Sequence, residues 1–392
     1  MTDEQKNTEG GLRTIAVASL KAGVAFSEAV YIDDDNVFVP AKVPILQRDL
    51  EKVAALGIDT LMTAGEPVEP AEDPSCAQGI AFPAVNKNRS AYRVYTALIE
   101  RINGLFSRIS EGNPIDSRPI NTISTQLLQA LRTQREQYIG FVLGGDVKGY
   151  EMAKSAVNIA ILSALTAQEI RLPSHKILYV IIAALLHDAG MFQLPKKILE
   201  KKGALTEEER RQMRSHPTLS RDIAVRDLAY PDEIGDIVLQ HHERWDGNGY
   251  PYKLPGNNIS VGARIVSIAD SFEAMVSPRP YRRSILGYQA NKNLLADNSR
   301  RFDPDILKVF ILTMGVYPIG SLVCLNNGTV ARIAEVRPST PLRPKVQVLV
   351  DEFKQEHTGS ECFFIDLLTE KRLYITKPID PHELSEMNGF DG

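Results

Sequence analysis

The chain has 392 residues, of which 43% are hydrophobic and 24% are charged, and its formal net charge is −4. This length predicts two or three domains with a sizeable core. The small net charge gives no reason to expect a nucleic-acid polymer or an anionic membrane as a partner. Three widely spaced cysteines, Cys76, Cys324 and Cys362, match neither a zinc-ligand spacing nor a disulfide framework, and this predicts a reducing, cytoplasmic location.

The first twelve residues are polar, and they lack the apolar segment of a signal peptide. We expect residues 1–12 to be a disordered tail. The most apolar run, residues 177–186, is shorter than the ~20 residues that a membrane-spanning helix needs. We therefore expect no membrane span.

Residues 13–70 are predicted to form a small α+β domain. Short β-rich pieces (TIAVASL, VYIDDD and NVFVPAKV) are separated by glycine and by an acidic cluster, and ILQRDLEKVAALGI follows with helical periodicity. Residues 71–120 are predicted to be a linker and a connecting helix. The helical patterns at 89–106 and 121–143 carry no obvious chemistry and indicate scaffold or dimerisation helices.

Residues 121–315 are predicted to form an all-helical domain, because apolar residues recur there every three or four positions. From residue 316 to residue 380 the period changes to that of short strands separated by Gly, Asn and Pro, which predicts a small β-rich unit. The fold class is therefore multidomain and mainly α, with small units on either side of the helical domain.

The apolar helix IIAALL ends in a neighbouring imidazole and carboxylate, His187 and Asp188. A buried carboxylate requires a partner, and several candidates occur further along the chain. Imidazole and carboxylate ligands without thiolates suit Fe, Mn, Zn or Ni. Two such ions about 3.5–4 Å apart stabilise both the attacking and the leaving oxygen of a phosphoester displacement. The other candidates are His216, His241, His242 and Asp270, together with Glu151 and Ser155, which are four residues apart on one helix face.

Each of these residues also has a purely structural explanation. A single histidine on an apolar face is more often a core or surface residue than a ligand. His242 and Glu243 are compatible with an exposed surface, and Asp270 with a helix cap or an ion pair. Only the set as a whole indicates a metal site.

Taken together, the motifs resemble the HD-GYP family, a branch of the HD-domain metal-dependent phosphohydrolases. The resemblance covers about residues 149–320, and its most specific part is HHERWDGNGYP at 241–251. HDAG at 187–190, HP at 216–217 and RIVSIADSFEAMVSPRPYR at 264–282 support it. The N-terminal region resembles the small domain that often precedes this family, which suggests a role in regulation or in dimer contacts.

The resemblance implies hydrolysis of the bacterial second messenger cyclic di-GMP to pGpG or GMP, by in-line attack of water and without a protein nucleophile. It implies two or three divalent ions, Fe or Mn with Zn or Ni as alternatives, with Asp188 bridging two of them. It also suggests a signalling partner, such as a diguanylate cyclase, bound through the GYP loop. The implied metal ligands are Glu151, His187, Asp188, His216, His241, His242 and Asp270; the catalytic residues are Asp188, Arg279 and Arg282; the substrate-binding residues are Gly249, Tyr250, Pro251, Arg279 and Arg282.

Two positions depart from the family pattern. Ser155 stands where the family has its first metal-binding histidine, and Met191 stands where HD-x-G-K has a lysine that contacts the scissile phosphate. Losing a positioned cation costs about 10²–10³ in rate by analogy with other transition-state donors; Lys196 or Lys197 could replace it.

Two hypotheses remain open, an active phosphodiesterase and a degenerate cyclic di-GMP receptor or interaction module. A hydrolase for another nucleotide is disfavoured by the GYP segment.

Overall fold

The structure of the chain is a computed structural model. It describes residues 12–32, 37–39, 45, 47–55, 58–68, 90–144, 150–199, 201, 203–277, 287–296, 300–337, 339–355, 357 and 363–379. These residues form a mainly helical structure with a small sheet region before the helices and a larger sheet after them. The fold class predicted from the sequence is confirmed.

The N-terminal region is a mixed sheet-and-helix unit with its own apolar core. Its main sheet is antiparallel, with strand order β1-β5-β3-β4, and β2 pairs with β6 beside it. Phe26, Phe38 and Leu61 are among the side chains of its core. Its elements are β1 Arg13–Ala16, β2 Ala25–Phe26, β3 Val30–Tyr31, β4 Val37–Val39, α1 Gln47–Ala55, β5 Thr60–Thr63 and β6 Pro67–Val68.

The helical region is built around two helices that are apolar on nearly all sides. In α5, thirteen of the 19 residues are buried, and in α6 eight of 13 are buried, as expected for helices inside a bundle. They pack against each other, and α11 and α2 also pack on α5. The helices are α2 Ser90–Ser110, α3 Ser117–Thr133, α4 Arg135–Gly144, α5 Glu151–Glu169, α6 Ser174–Leu186, α7 Lys196–Leu199, α8 Glu207–Met213, α9 His216–Asp222, α10 Asp232–Gln240, α11 Val261–Val276, α12 Gly287–Ala296 and α13 Pro304–Met314.

One stretch, Ser174–Gln193, is long and apolar enough to pass a test for a membrane span, and 61% of its most apolar window is buried inside the protein. It comprises α6 and the 3₁₀ turn Ala189–Gln193. Within the described residues it has the surroundings of a core helix.

The C-terminal sheet has five antiparallel strands in the order β10-β9-β8-β7-β11. Strand β9 alternates half-buried and buried residues, the pattern of a strand with one face on a core. Several of the buried side chains of the sheet, including Val323, Ile333 and Val346, belong to the same apolar core as the helices. The strands are β7 Leu322–Leu325, β8 Val330–Glu335, β9 Lys345–Val350, β10 Phe364–Asp366 and β11 Ile375–Ile379.

Candidate metal centre

The ends of three helices bring the histidines together. His187 follows the last residue of α6, His241 follows the last residue of α10, and His216 is the first residue of α9. Asp188 comes directly after His187. At a helix end the backbone can turn away from the helix axis, so the neighbouring His241 and His242 can both face one centre.

Three of the imidazoles are oriented by the backbone of the preceding turn. In each, Nδ1 lies 2.6–2.8 Å from the carbonyl oxygen three residues earlier. A carbonyl only accepts hydrogen bonds, so Nδ1 carries a proton, and in the neutral imidazole the lone pair that can bind a metal is on Nε2. The pairs are His187 with Ala184, His216 with Met213, and His241 with Val238.

Asp188 lies between these imidazoles and uses its two oxygens on different neighbours. Its Oδ2 is 3.3 Å from Nε2 of His187. Its Oδ1 is 3.2 Å from Nε2 of His216 and 3.9 Å from Nε2 of His241. The two oxygens of Asp188 thus face different histidines, as is required of a carboxylate that is shared by two ions.

Four residues form the densest part of the cluster. The ligand atoms of Asp188, His216, His241 and His242 all lie within 4.8 Å of one another. The Nε2 atoms of His216 and His241 are only 3.4 Å apart, and two lone pairs at that distance need a proton or a cation between them. The donor set, three imidazoles and one carboxylate, therefore fits a divalent transition ion.

The ionisation of the cluster also fits a metal. Burial raises the pKa of Asp188, but His187 and His216 outweigh it and hold that pKa well below its usual range. Burial lowers the pKa of His187, but Asp188 raises it to about 9. Burial, then the charges of His187 and His216, lower the pKa of His241 to about 3, and burial also lowers the pKa of His242. The carboxylate of Asp188 and the neutral imidazoles of His241 and His242 are the forms that bind metals, whereas His187 would release a proton on binding one.

The loop that follows the histidine pair packs directly on it. The ring of Tyr250 stacks on His242, with centroids 4.7 Å apart and planes 24° apart. A Cβ atom at Gly249 would lie 2.6 Å from the carbonyl oxygen of His242 and 2.5 Å from Cα of Glu243, so only glycine permits this approach. Gly247 has φ +77°. Gly249 and Tyr250 thus pack on His242. The substrate-binding role of Gly249, Tyr250 and Pro251 stays a prediction.

Glu243 has a structural role that the sequence did not reveal. Its side chain is 2% exposed, and its two carboxylate oxygens accept hydrogen bonds from the backbone N–H groups of Tyr252 (2.7 Å) and Leu254 (3.0 Å). A glutamate among charged and polar neighbours gives no sequence signal of burial. Glu243 fastens the loop beside the metal-capable histidines.

Ser155 belongs to a buried hydrogen-bond network. Its hydroxyl donates to Oε2 of Glu273 (2.7 Å), while Asn158 and Ser277 donate to Oε1 (3.2 and 2.6 Å). Tyr95 donates in turn to Asn158 (2.7 Å). Glu273 is 2% exposed, so its charge depends on these donors. The hydroxyl at 155 is thus directed to a carboxylate, and the position supplies no imidazole nitrogen.

The remaining predicted ligands lie around this centre. Asp270 is half-buried on α11, and its charge is among the causes that raise the pKa of His187. Glu151 is exposed in the first turn of α5. Neither is in the four-residue set whose ligand atoms lie together, within the parts of the chain that the structure describes. Arg279 and Arg282 lie outside the described residues.

The structure also locates the position that lacks the lysine of the family pattern. Met191 is half-buried in the turn after Asp188, and this turn packs on the start of α9. The two lysines considered as substitutes, Lys196 and Lys197, are exposed on α7.

A family model described as an HD domain matches residues 130–306, and a second, described as a KOW domain associated with HD domain, matches residues 322–387. The chain is 33% identical over 199 residues to cyclic di-GMP phosphodiesterase PA4108 of Pseudomonas aeruginosa, covering 51% of this chain and 48% of that protein. It is 32% identical over 200 residues to cyclic di-GMP phosphodiesterase PdeB of Borreliella burgdorferi, covering 51% and 52%.

A further relative is named for a different substrate. The 3′3′-cGAMP-specific phosphodiesterase 2 of Vibrio cholerae is 34% identical over 130 residues, covering 33% of this chain and 25% of that protein. The chain spans about half the length of the two cyclic di-GMP relatives.

Proposed function

Because the chain belongs to the HD-GYP branch of the HD-domain family, we propose that it is a metal-dependent phosphodiesterase that hydrolyses cyclic di-GMP to pGpG or GMP. The observation that carries the proposal is the position of Asp188, with one oxygen toward His187 and the other toward His216 and His241. Such a carboxylate can be shared by two divalent ions, for which Fe and Mn are the first candidates.

In this proposal the chain's own residues hold the ions and align the phosphate. His187 and Asp270 would hold one ion, His216, His241 and His242 would hold another, and Asp188 would be shared between them. Glu151 would support a third ion. When bound, divalent ions supply positive charge at the phosphate oxygens and ease deprotonation of the attacking water.

Orientation of the phosphate is assigned to a further set of residues in this proposal. Arg279 and Arg282 neutralise the non-bridging oxygens, because guanidinium groups are planar and always charged. Gly249, Tyr250 and Pro251 contribute the loop beside His242, against which the bound nucleotide lies. Arg279 and Arg282 are proposed from the family pattern alone.

Turnover of cyclic di-GMP tests the proposal. Protein purified without oxygen is analysed for bound metal, loaded with Mn or Fe, and incubated with cyclic di-GMP, and pGpG and GMP are separated by chromatography. We expect product formation that His241→Ala reduces at least about 10²-fold. Supplying 3′3′-cGAMP in parallel measures the preference between the two dinucleotides. Product no greater than that of His241→Ala would contradict the proposal.

A cyclic di-GMP receptor without turnover is the second candidate. It is favoured by one observation, the engagement of Ser155 with Glu273 where the family has a metal-binding imidazole. Saturable cyclic di-GMP binding by the metal-loaded protein, without product, would support it. In that case the pair Ser155→His and Met191→Lys should create turnover, because it restores an imidazole and a cation at the two positions that depart from the family pattern.

A further inference from the structure

Arg214 lies on the loop side of the cluster, in the turn between α8 and α9 and two residues before His216. It is half-buried. Its guanidinium carbon is 5.3 Å from the centroid of the Tyr250 ring, and that ring stacks on His242 at 4.7 Å. Arg214, Tyr250 and His242 thus form a continuous stack that leads into the metal-capable cluster.

A second arginine lies on the segment that packs on the histidine loop. The backbone carbonyl of Arg301 accepts a hydrogen bond from the N–H of Trp245 (3.0 Å), and its guanidinium carbon is 5.4 Å from the centroid of the Phe302 ring. Arg214 is therefore the arginine whose side chain contacts the stack on His242.

A cyclic dinucleotide brings two phosphodiester anions to a site that holds divalent cations. A guanidinium beside such a site can contact the same anion as the cations, because it can direct two parallel N–H groups at one phosphate.

Arg214 and Met191, the position that lacks the lysine of the family pattern, lie on turns that border the same helix, α9. Met191 lies next to Gly190, whose N–H donates to Oγ of Ser220 in α9 (2.8 Å). Gly190 packs so closely that a Cβ there would lie 2.4 Å from the carbonyl oxygen of His216. The turn with Met191 and the turn with Arg214 therefore both border the start of α9.

We propose that Arg214 binds a phosphate of the cyclic dinucleotide and supplies the positive charge that position 191 lacks. The inference rests on the proposed function and adds a substrate-binding residue to it. The alternative is that Arg214 only supports Tyr250, and the experiment separates these roles.

Steady-state kinetics of the full-length, metal-loaded protein test Arg214. We expect Arg214→Gln to lower kcat/KM for cyclic di-GMP about 10²-fold, as for a lost transition-state donor, with unchanged metal content and thermal midpoint. Arg214→Lys should retain part of the activity. Arg211→Gln is the matched control, because Arg211 is 80% exposed and pairs with Glu208; it should stay within about twofold of wild type.

Rescue distinguishes phosphate binding from support of the loop. Adding Met191→Lys to Arg214→Gln should raise kcat/KM at least tenfold above that of Arg214→Gln alone, since a cation is returned to the same phosphate. An unchanged kcat/KM in Arg214→Gln would overturn the proposal. So would a loss that Met191→Lys fails to rescue.

If wild-type protein turns over no dinucleotide, the proposed function fails, and Arg214 can still be judged by anion binding. Calorimetric titration of inorganic phosphate into the Mn-loaded protein should then show weaker binding to Arg214→Gln than to wild type and Arg211→Gln. Equal affinity in all three would overturn the role of Arg214.

Discussion

At the residue scale, the absence of a side chain at Gly190 allows the turn after Asp188 to pack closely on α9, which carries His216. A Cβ at this position would lie 2.4 Å from the carbonyl oxygen of His216 and 2.6 Å from the backbone nitrogen of Ser220. Both neighbours are backbone atoms at the start of α9, and they cannot move without moving the imidazole of His216. The fit of this glycine therefore sets the distance between Asp188 and His216.

Gly190→Ala should weaken both stability and metal binding. We expect a loss of about 1–3 kcal/mol in the free energy of unfolding, the usual cost of overpacking, and a lower metal content because His216 is displaced from Asp188. Urea unfolding and metal analysis of the purified variant measure the two effects.

Gly104→Ala is the control for this substitution. Gly104 is exposed on α2, and a Cβ there would have no neighbour within 4 Å. Alanine should stabilise the helix by up to about 1 kcal/mol without changing the metal content. Equal effects of the two substitutions would contradict the role assigned to Gly190.

The types of the candidate ligands were readable from the sequence, whereas their supports were not. Histidine and aspartate at the ends of apolar helices carry their chemistry in their identity, so the convergence of His187, Asp188 and His216 could be anticipated. Glu243 could not, because the sequence does not reveal whether a glutamate points into solvent or onto backbone N–H groups. Nor does it reveal that Glu273 accepts a hydrogen bond from Ser155.

At the scale of elements, a buried carboxylate helps to hold the loop between α10 and α11. Glu243, which is 2% exposed, accepts hydrogen bonds from the N–H groups of Tyr252 and Leu254. A hydrogen bond to a charged group contributes about 1.5–3 kcal/mol, so Glu243 stabilises this conformation together with backbone contacts such as that from Tyr250 N–H to the carbonyl oxygen of His242 (3.2 Å).

Glu243→Ala should therefore destabilise the protein by about 3 kcal/mol and raise the Kd for Mn, because the loop positions His242 through Tyr250. Chemical unfolding and metal titration give the two values. Glu208→Ala is the matched control, since the Glu208 side chain is 65% exposed, and it should change stability by less than about 0.5 kcal/mol. A stability change in Glu243→Ala as small as that of the control would refute this role.

In the C-terminal sheet, an ion pair joins the residues after β8 to β10. Arg337 donates to both oxygens of Asp366, at 2.9 and 3.0 Å. This contact is the first cause of a lowered pKa at Asp366. A carboxyl group whose pKa is lower in the folded state stabilises the fold above its unfolded pKa, and this stabilisation disappears as the pH falls through the folded value.

Arg337→Gln should accordingly lower the thermal midpoint at pH 7, and the difference from wild type should shrink as the pH falls below about 4. Differential scanning calorimetry from pH 7 to pH 3 checks this. The exposed pair Arg211 and Glu208 provides the comparison, because Arg211→Gln should leave the midpoint nearly unchanged at every pH. A gap for Arg337→Gln that stays constant or grows on acidification would contradict the assignment.

Periodicity predicted the elements well where one face of an element determines its pattern. The strands at 13–16 and 37–39, the helix at 47–55 and the long apolar helices follow the sequence pattern. The order of the strands does not, because the pairing of β5 between β1 and β3 depends on contacts between distant segments. The domain boundaries predicted from the sequence stay predictions.

At the scale of the whole molecule, the described residues contain two large apolar cores that differ in extent. One lies within the N-terminal unit and includes Val17, Phe38 and Leu61. The other is continuous from the helices into the C-terminal sheet and includes Phe272, Phe310 and Val323. Continuity of a core predicts cooperative unfolding, so the helices and the C-terminal sheet should behave as one unit, while the N-terminal unit should unfold separately.

Two truncations test this difference. A chain of residues 90–392 should stay folded with a thermal midpoint close to that of the corresponding transition in the full chain, because no side chain of the larger core is removed. A chain of residues 1–316 should unfold or aggregate, since it exposes the faces that Val323, Ile333 and Val346 cover, and each such side chain contributes about 1.5–3 kcal/mol by burial. Calorimetry and limited proteolysis measure both. If the chain of residues 1–316 kept the thermal midpoint and the metal content of the 392-residue chain, the prediction would be wrong. The C-terminal sheet would then be an independent domain, and the helical core would end with α13.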